Sequence, residues 1–192
     1  NVESTFNQVV VVGDMSTNDS LFILANGRAE NPRIEREGRD YFLFSRALGE
    51  VLKELSRKIA EDGEGASRLI EVRVINAANL KEARVAAKDI VSSSLVKAMV
   101  FGQDPNWGRI FCAVGYSEAK FDPDKVDISI GSLALVKNGV PATANSTEAL
   151  RKAMKEKRLL ITVHLKVGKE SAEIYTCDLS YNYVKINAEY TT

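Results

Sequence analysis

Between Asp40 and Ile59 apolar residues return at steps of three and four. Tyr41, Phe44, Leu48, Val51, Leu52, Leu55 and Ile59 draw one stripe, and Arg46, Glu50, Lys53, Glu54 and Lys58 occupy the other face. That period predicts an amphipathic helix with Asp40 as cap, ended by Asp62-Gly63. The stripe reads as core rather than as a groove for a partner. The next periodic segments are shorter. Leu69 to Ile75 reads as a strand, Lys81 to Val91 as a helix made close-packing by Ala83, Ala86 and Ala87, and Ser94 to Val100 as a second short helix.

Elsewhere the pattern has period two or is continuously apolar. Gln8 to Val12 and Arg109 to Gly115 read as buried strands. Val126, Ile128 and Ile130 alternate with Asp127 and Ser129, a half-buried strand. Asn138-Gly139 is a hairpin turn signal. Glu148 to Lys157 reads as a helix. Leu159 to Val167 and Ala172 to Leu179 read as an antiparallel pair joined around Gly168, with Val184 to Ile186 as a last edge segment. Near the start, Ser16 to Asp19 offer caps for a helix through Leu21, Phe22 and Leu24. Helices and strands alternate irregularly, which favours α/β or α+β layering, with mixed and antiparallel sheets, over a doubly wound parallel sheet.

A chain of 192 residues, 45% hydrophobic, suits one domain or two closely packed lobes, about 1–115 and 116–192. Twenty-six basic residues balance twenty-six acidic ones, so charge gives no reason to propose nucleic acid or a membrane surface as partner. No apolar run approaches the ~18 residues of a membrane span, and no secretory signal is visible. Cys112 and Cys177 lie in apolar runs, at a spacing that fits neither a zinc site nor a redox pair. They read as buried free thiols in a reducing compartment. His164, the one histidine, shares a strand face with Leu160, Thr162 and Lys166 and reads as a strand histidine. No metal site is expected.

Four polar or glycine-bearing segments are candidates for chemistry. Gly13 to Asp19 would be either a capped helix start or an anion site at a helix N-terminus. Asp62-Gly63-Glu64-Gly65-Ala66-Ser67 brackets one carboxylate with two glycines at a helix-to-strand junction. That arrangement is either a simple capping loop or a way to point Glu64 into a cleft as acid, base or amine ligand. Gly102 to Arg109 packs Asp104, Asn106, Trp107 and Arg109 around Pro105, and a rigid hydrogen-bonded loop is its preferred reading. The tail, Lys185 to Thr192, would by itself be frayed.

Taken in order, these segments resemble the ornithine acetyltransferase (glutamate N-acetyltransferase) family. The resemblance rests on Gly13-Asp14 with Ser16-Thr17-Asn18-Asp19, on Asp62-Gly63-Glu64-Gly65-Ala66, and on Asp104-Pro105-Asn106-Trp107-Gly108-Arg109-Ile110. It continues in Cys177-Asp178-Leu179 leading to Tyr183-Val184-Lys185-Ile186-Asn187. It implies an N-terminal-nucleophile-like, self-processing fold. It also implies that this is the larger β chain of a cleaved precursor, completed by a separate α chain in an α2β2 heterotetramer in the cytoplasm.

The resemblance further implies transfer of an acetyl group from N-acetylornithine to glutamate through an acetyl-threonine, with no cofactor. Some relatives also accept acetyl-CoA. The threonine nucleophile heads the β chain in this family. Asn1 cannot serve, so the nucleophile is expected in a short stretch preceding it. Glu64, Asn187 and Thr192 match the family's substrate-binding positions. Val12, Met15 and Ser67 depart from its common residues, so no role is carried over to the Asp14 segment. Two rival readings are an aminopeptidase or amidase of related fold, and a non-catalytic assembly subunit.

Overall fold

The computed structural model describes residues 1–14, 17–145 and 147–189. Six helices are named here: α1 (Arg39–Glu61), α2 (Leu80–Ser92), α3 (Ser94–Phe101), α4 (Trp107–Tyr116), α5 (Thr147–Ala153) and α6 (Tyr181–Glu189). The strands are β1 (Leu69–Ala77), β2 (Asp127–Ile130), β3 (Leu133–Lys137), β4 (Val140–Pro141), β5 (Arg158–His164) and β6 (Glu170–Cys177). They form one six-stranded sheet in the order β4-β3-β2-β5-β1-β6. β1 and β5 are parallel and the remaining neighbours antiparallel, the mixed layering the pattern implied.

Register explains the core. Ala172, Val74, Val163, Ile128 and Val136 stand side by side across β6, β1, β5, β2 and β3. Ile174, Val72, Ile161 and Ile130 form the next row. These rows lie on one face and are buried with Ala83, Ala86, Ala87 and Ile90 of α2 and Ile110, Ala113 and Val114 of α4. The small residues of α2 let it sit close to the sheet. Asn79 caps α2 by accepting from the Glu82 N–H at 2.9 Å, while its own amide donates to the Glu82 carboxylate.

The opposite face is charged. Glu71 and Arg73 of β1 lie beside Tyr175 and Glu173 of β6, with α1 packed over them. Arg73 bonds both Glu71 (2.6 Å) and Glu173 (2.9 Å), Lys53 pairs with Glu173 (2.9 Å), and Arg57 stacks over the Tyr175 ring. Burial would raise the Glu173 carboxyl. The Tyr175 hydroxyl, Lys53 and Arg73 outweigh it and hold the group at about 2.

Several expectations are corrected. Arg109 to Gly115 belongs to α4, not to a strand: Ile110, Ala113 and Val114 are spaced for one helical face, which a short apolar run does not reveal. Cys112 is therefore exposed on that helix, while Cys177 is buried; both are free thiols. Leu159 to Val167 and Ala172 to Leu179 do not pair with each other. The chain crosses the end of β1, where Val167 and Gly168 donate to the Asn76 carbonyl, and β6 pairs on the far side of β1. Gly168 is pressed so closely on the Ala77 backbone that a side chain there would collide with it. Val184 to Ile186 is part of α6.

No helix forms through Leu21, Phe22 and Leu24; the segment lacks regular structure, and Phe22 and Leu24 are 80% and 94% exposed. Gln8 to Val12 contributes a 3-10 turn (Phe6–Gln8) and one parallel bridge from Val9 to Tyr175 rather than a strand. The α1 stripe is core in this chain only at Leu52. Helix α1 docks through Leu52, Ser56 and Ala60, a line of mostly small residues that meets the stripe at Leu52, while Tyr41, Phe44, Val51, Leu55 and Ile59 face outward.

Candidate active site

The loop between α1 and β1 carries Glu64, and its shape follows from its glycines. Asp62 ends α1, Ala66 donates to the Gly63 carbonyl (2.9 Å), and Gly65 takes φ +67°, in the left-handed region. Both glycines are also places of close approach. A Cβ on Gly63 would meet Cys177 Sγ at 2.8 Å and Val11 Cγ1 at 2.9 Å; one on Gly65 would run into the Asn182–Tyr183 backbone.

That contact seats the loop on α6. Ser180 precedes the helix, accepts from the Tyr183 N–H (3.3 Å) as an N-cap, and donates to the Gly65 carbonyl at 2.6 Å. Asp178, almost wholly buried, braces the other end of the loop. Its carboxylate accepts from the Ser67 N–H (2.7 Å), the Arg68 N–H (3.0 Å) and the Ser67 hydroxyl, and Arg68 Nη1 lies 3.8 Å away.

This scaffold brings Glu64 and Asn187 together. Asn187 Nδ2 donates to Glu64 Oε2 at 2.8 Å and to the Tyr183 carbonyl, one helical turn back, at 3.0 Å. Both side chains are exposed, so the carboxylate keeps a free edge toward solvent. An oriented carboxylate next to a side-chain amide can hold an ammonium group or accept a proton. Thr192, the third expected position, lies outside the described residues.

The other candidate segments do different work. Gly102 to Arg109 is hydrogen-bonded internally and to α3: Asp104 N–H donates to Met99, Asn106 N–H to Asp104 and Arg109 Nη1 to the Leu95 carbonyl. The anion-site reading of Gly13 to Asp19 falls with its helix, and Met15 and Ser16 lie outside the described residues. His164 ends β5, half-buried opposite Asp127; burial and the Lys166 charge lower its pKa against the pull of Asp127. Among the described residues no cluster of three or more His, Cys, Asp or Glu side chains is arranged to hold a metal. None of the described helices is long and apolar enough to cross a membrane.

Sequence reasoning overlooked Ser180 and Asp178 as the supports of the site. Ser180 was legible as an N-cap only once Tyr181 onward was known to be helical. Asp178 stands within the Cys177-Asp178-Leu179 run, but no spacing in the chain indicates that it reaches back to Ser67.

The profile of the ArgJ family matches residues 1–192. The chain belongs to the ArgJ family. Among ArgJ relatives, the arginine biosynthesis bifunctional protein ArgJ of Symbiobacterium thermophilum is 48% identical over 190 residues, 99% of this chain and 47% of the relative. That of Caldanaerobacter subterraneus subsp. tengcongensis is 50% identical over 195 residues, covering 100% of this chain and 48% of the relative. The chain thus spans about half the length of the curated ArgJ proteins it matches. The crystal structure of ArgJ from Bacillus halodurans superposes with a TM-score of 0.92 at 42% identity, covering 98% of this chain and 89% of that one. The mixed α/β architecture is therefore that of an ArgJ protein, with the N-terminal-nucleophile type of fold.

Proposed function

We propose that this chain is the larger, β, portion of a self-cleaved ornithine acetyltransferase and forms the substrate wall of an active site shared with a smaller α chain. The observation that carries the reading is the Asn187–Glu64 hydrogen bond of 2.8 Å, made between residues 123 positions apart. Two of the three substrate positions implied by the resemblance are thereby neighbours on one surface. The bifunctional arginine biosynthesis relatives support the same assignment.

The chemistry is a double displacement. A threonine hydroxyl, on a stretch preceding Asn1, attacks the amide carbonyl of N-acetylornithine. The C–N bond breaks, the threonine proton passes to the departing amine, and ornithine leaves an acetyl ester behind. The amine of glutamate then attacks that ester, giving N-acetylglutamate and restoring the hydroxyl. Donors on the α chain stabilise the oxyanion of both steps. Glu64 binds the ammonium end of ornithine or assists proton movement, Asn187 orients Glu64 and the substrate, and Thr192 closes the pocket.

Two features support the α-chain partner. The chain spans about half the length of its ArgJ relatives, and the α1 stripe leaves Phe44, Val51, Leu55 and Ile59 exposed. An amphipathic face of this kind is burial surface for a second chain. Two copies of each chain give the α2β2 assembly.

The test uses the complete protein, supplied with N-acetylornithine with and without glutamate. Glutamate-dependent release of ornithine with matching N-acetylglutamate supports the transferase. Acetate released equally fast without glutamate identifies an amidase instead. Unchanged turnover and affinity in Glu64→Ala reduces this chain to an assembly subunit.

A further inference from the structure

Lys97, on α3, is 5% exposed, and the chemistry proposed above makes no use of it. Its ammonium donates to the Val11 carbonyl, and its own carbonyl accepts from the Leu179 N–H at 3.4 Å. Cys177 and Asp178 are its electrostatic neighbours. Burial lowers the lysine pKa, and those two groups draw it back up. Three stretches of chain meet at this point. They are the segment leading to Gly13-Asp14, the Glu64 loop, and the Cys177–Leu179 run that feeds α6. Gly63 marks the junction, since a Cβ there would strike both Val11 and Cys177.

A buried ammonium is expensive for a fold, and an apolar side chain of similar length fills such space at lower cost. Lys97 instead donates to a main-chain carbonyl, and its own carbonyl takes the N–H of Leu179, next to the carboxylate that orders Ser67 and Arg68. Through Val11 it reaches the N-terminal side of the chain; through Leu179 it holds the run whose Asp178 braces the base of the Glu64 loop.

We propose that Lys97 is a positioning residue for the Glu64–Asn187 pair, locking the Val9–Gly13 segment and the Asp178-braced loop into one rigid body. This rests on the transferase reading, in which the nucleophile lies upstream of that segment: fixing Val11 fixes the separation between the attacking hydroxyl and Glu64. A small error in such a separation is costly for a reaction that depends on alignment.

The experiment compares the complete two-chain enzyme with Lys97→Met and Lys97→Arg. It uses steady-state kinetics with N-acetylornithine and glutamate, thermal unfolding, and amide hydrogen exchange of peptides spanning residues 9–14 and 62–68. Lys97→Met is expected to lower kcat by about tenfold or more with a smaller change in KM. Exchange is expected to quicken in both peptides, and Lys97→Arg to recover much of the loss by keeping the charge. Kinetics within about twofold of wild type overturn the proposal, as does a lowered melting temperature alone, or faster exchange confined to residues 9–14. Should Lys97→Met fail to fold, Lys97→Gln decides by the same exchange comparison, because it keeps a donor for Val11 and removes the charge. If the wild-type enzyme transfers no acetyl group, the functional reading fails, while the exchange data still decide whether Lys97 couples the two segments.

Discussion

Asn187 finds Glu64 because two supports hold the carboxylate's loop against α6. Ser180 ties the helix start to Gly65, and Asp178 ties β6 to Ser67 and Arg68. The Glu64–Asn187 bond is itself exposed, so it adds little to stability. Asn187→Ala is therefore expected to leave the unfolding free energy within about 0.5 kcal/mol while lowering kcat/KM for N-acetylornithine by about tenfold or more. A thermal melt and initial rates on the same preparation check both halves. Gly65 carries the opposite balance. Its φ of +67° and its contact with the Asn182–Tyr183 backbone leave no room for a Cβ. Gly65→Ala is expected to destabilise by about 1–3 kcal/mol and to free α6, seen as faster amide exchange across residues 181–189. The two glycines around Glu64 were visible in the sequence as a candidate site. Which of them faces which neighbour was not, since Val11, Cys177, Asn182 and Tyr183 all lie far from them along the chain.

Among the elements, α1 shows where a periodic pattern stops being decisive. The helix itself, from Arg39 to Glu61, was legible from its apolar spacing. The pattern could not say which apolar line docks on the sheet. The sheet beneath is charged, with Glu71, Arg73 and Glu173 in its surface row, so the helix settles on Leu52, Ser56 and Ala60 and sends Lys53 and Arg57 to those carboxylates. The larger apolar side chains remain outside, Val51 at 57% exposure. Val51→Glu combined with Leu55→Glu is expected to leave the helix content of this chain unchanged and to abolish stable association with the proposed α chain. Co-purification of the two portions and circular dichroism of the variant measure these outcomes. α4 is the complementary case. Seven apolar and small residues in succession carry no period that separates a buried strand from a buried helix, and only packing against α2 decides the matter.

For the molecule as a whole, acid stability depends on carboxylates placed by the sheet. Asp127 begins β2, half-buried. Burial would raise its pKa, but the Asn138 N–H (2.7 Å) and the ammonium groups of Lys137 and Lys166 (2.7 Å each) outweigh it and hold the group at about 2, below its ordinary 3.8. A depressed folded-state value means the unfolded chain binds protons first. The contribution, about 2 kcal/mol, is complete above about pH 4 and is lost as the pH falls through about 2. Asp127→Asn is expected to be less stable than wild type by about that amount at pH 7, and the gap is expected to close toward pH 2. Urea melts at pH 7, 4 and 2.5 test the sign and the window.

The sequence alone determined what local periodicity and local chemistry encode. These are the long helix α1, the alternating strands, the hairpin turn at Asn138-Gly139 where both residues take positive φ, the glycine-bracketed Glu64, and the ordered motifs of the family. The tertiary structure decided everything set by neighbours distant along the chain. It inserted β1 between β5 and β6, turned the last segment into a helix where an edge strand was expected, and brought Asn187 to Glu64. It also brought Asp178 to Ser67 and Arg68, and Lys97 to the Val11 carbonyl. The reason is physical: a hydrophobic period records which face is buried, but a hydrogen bond across more than a hundred residues exists only after the sheet has fixed where both ends stand.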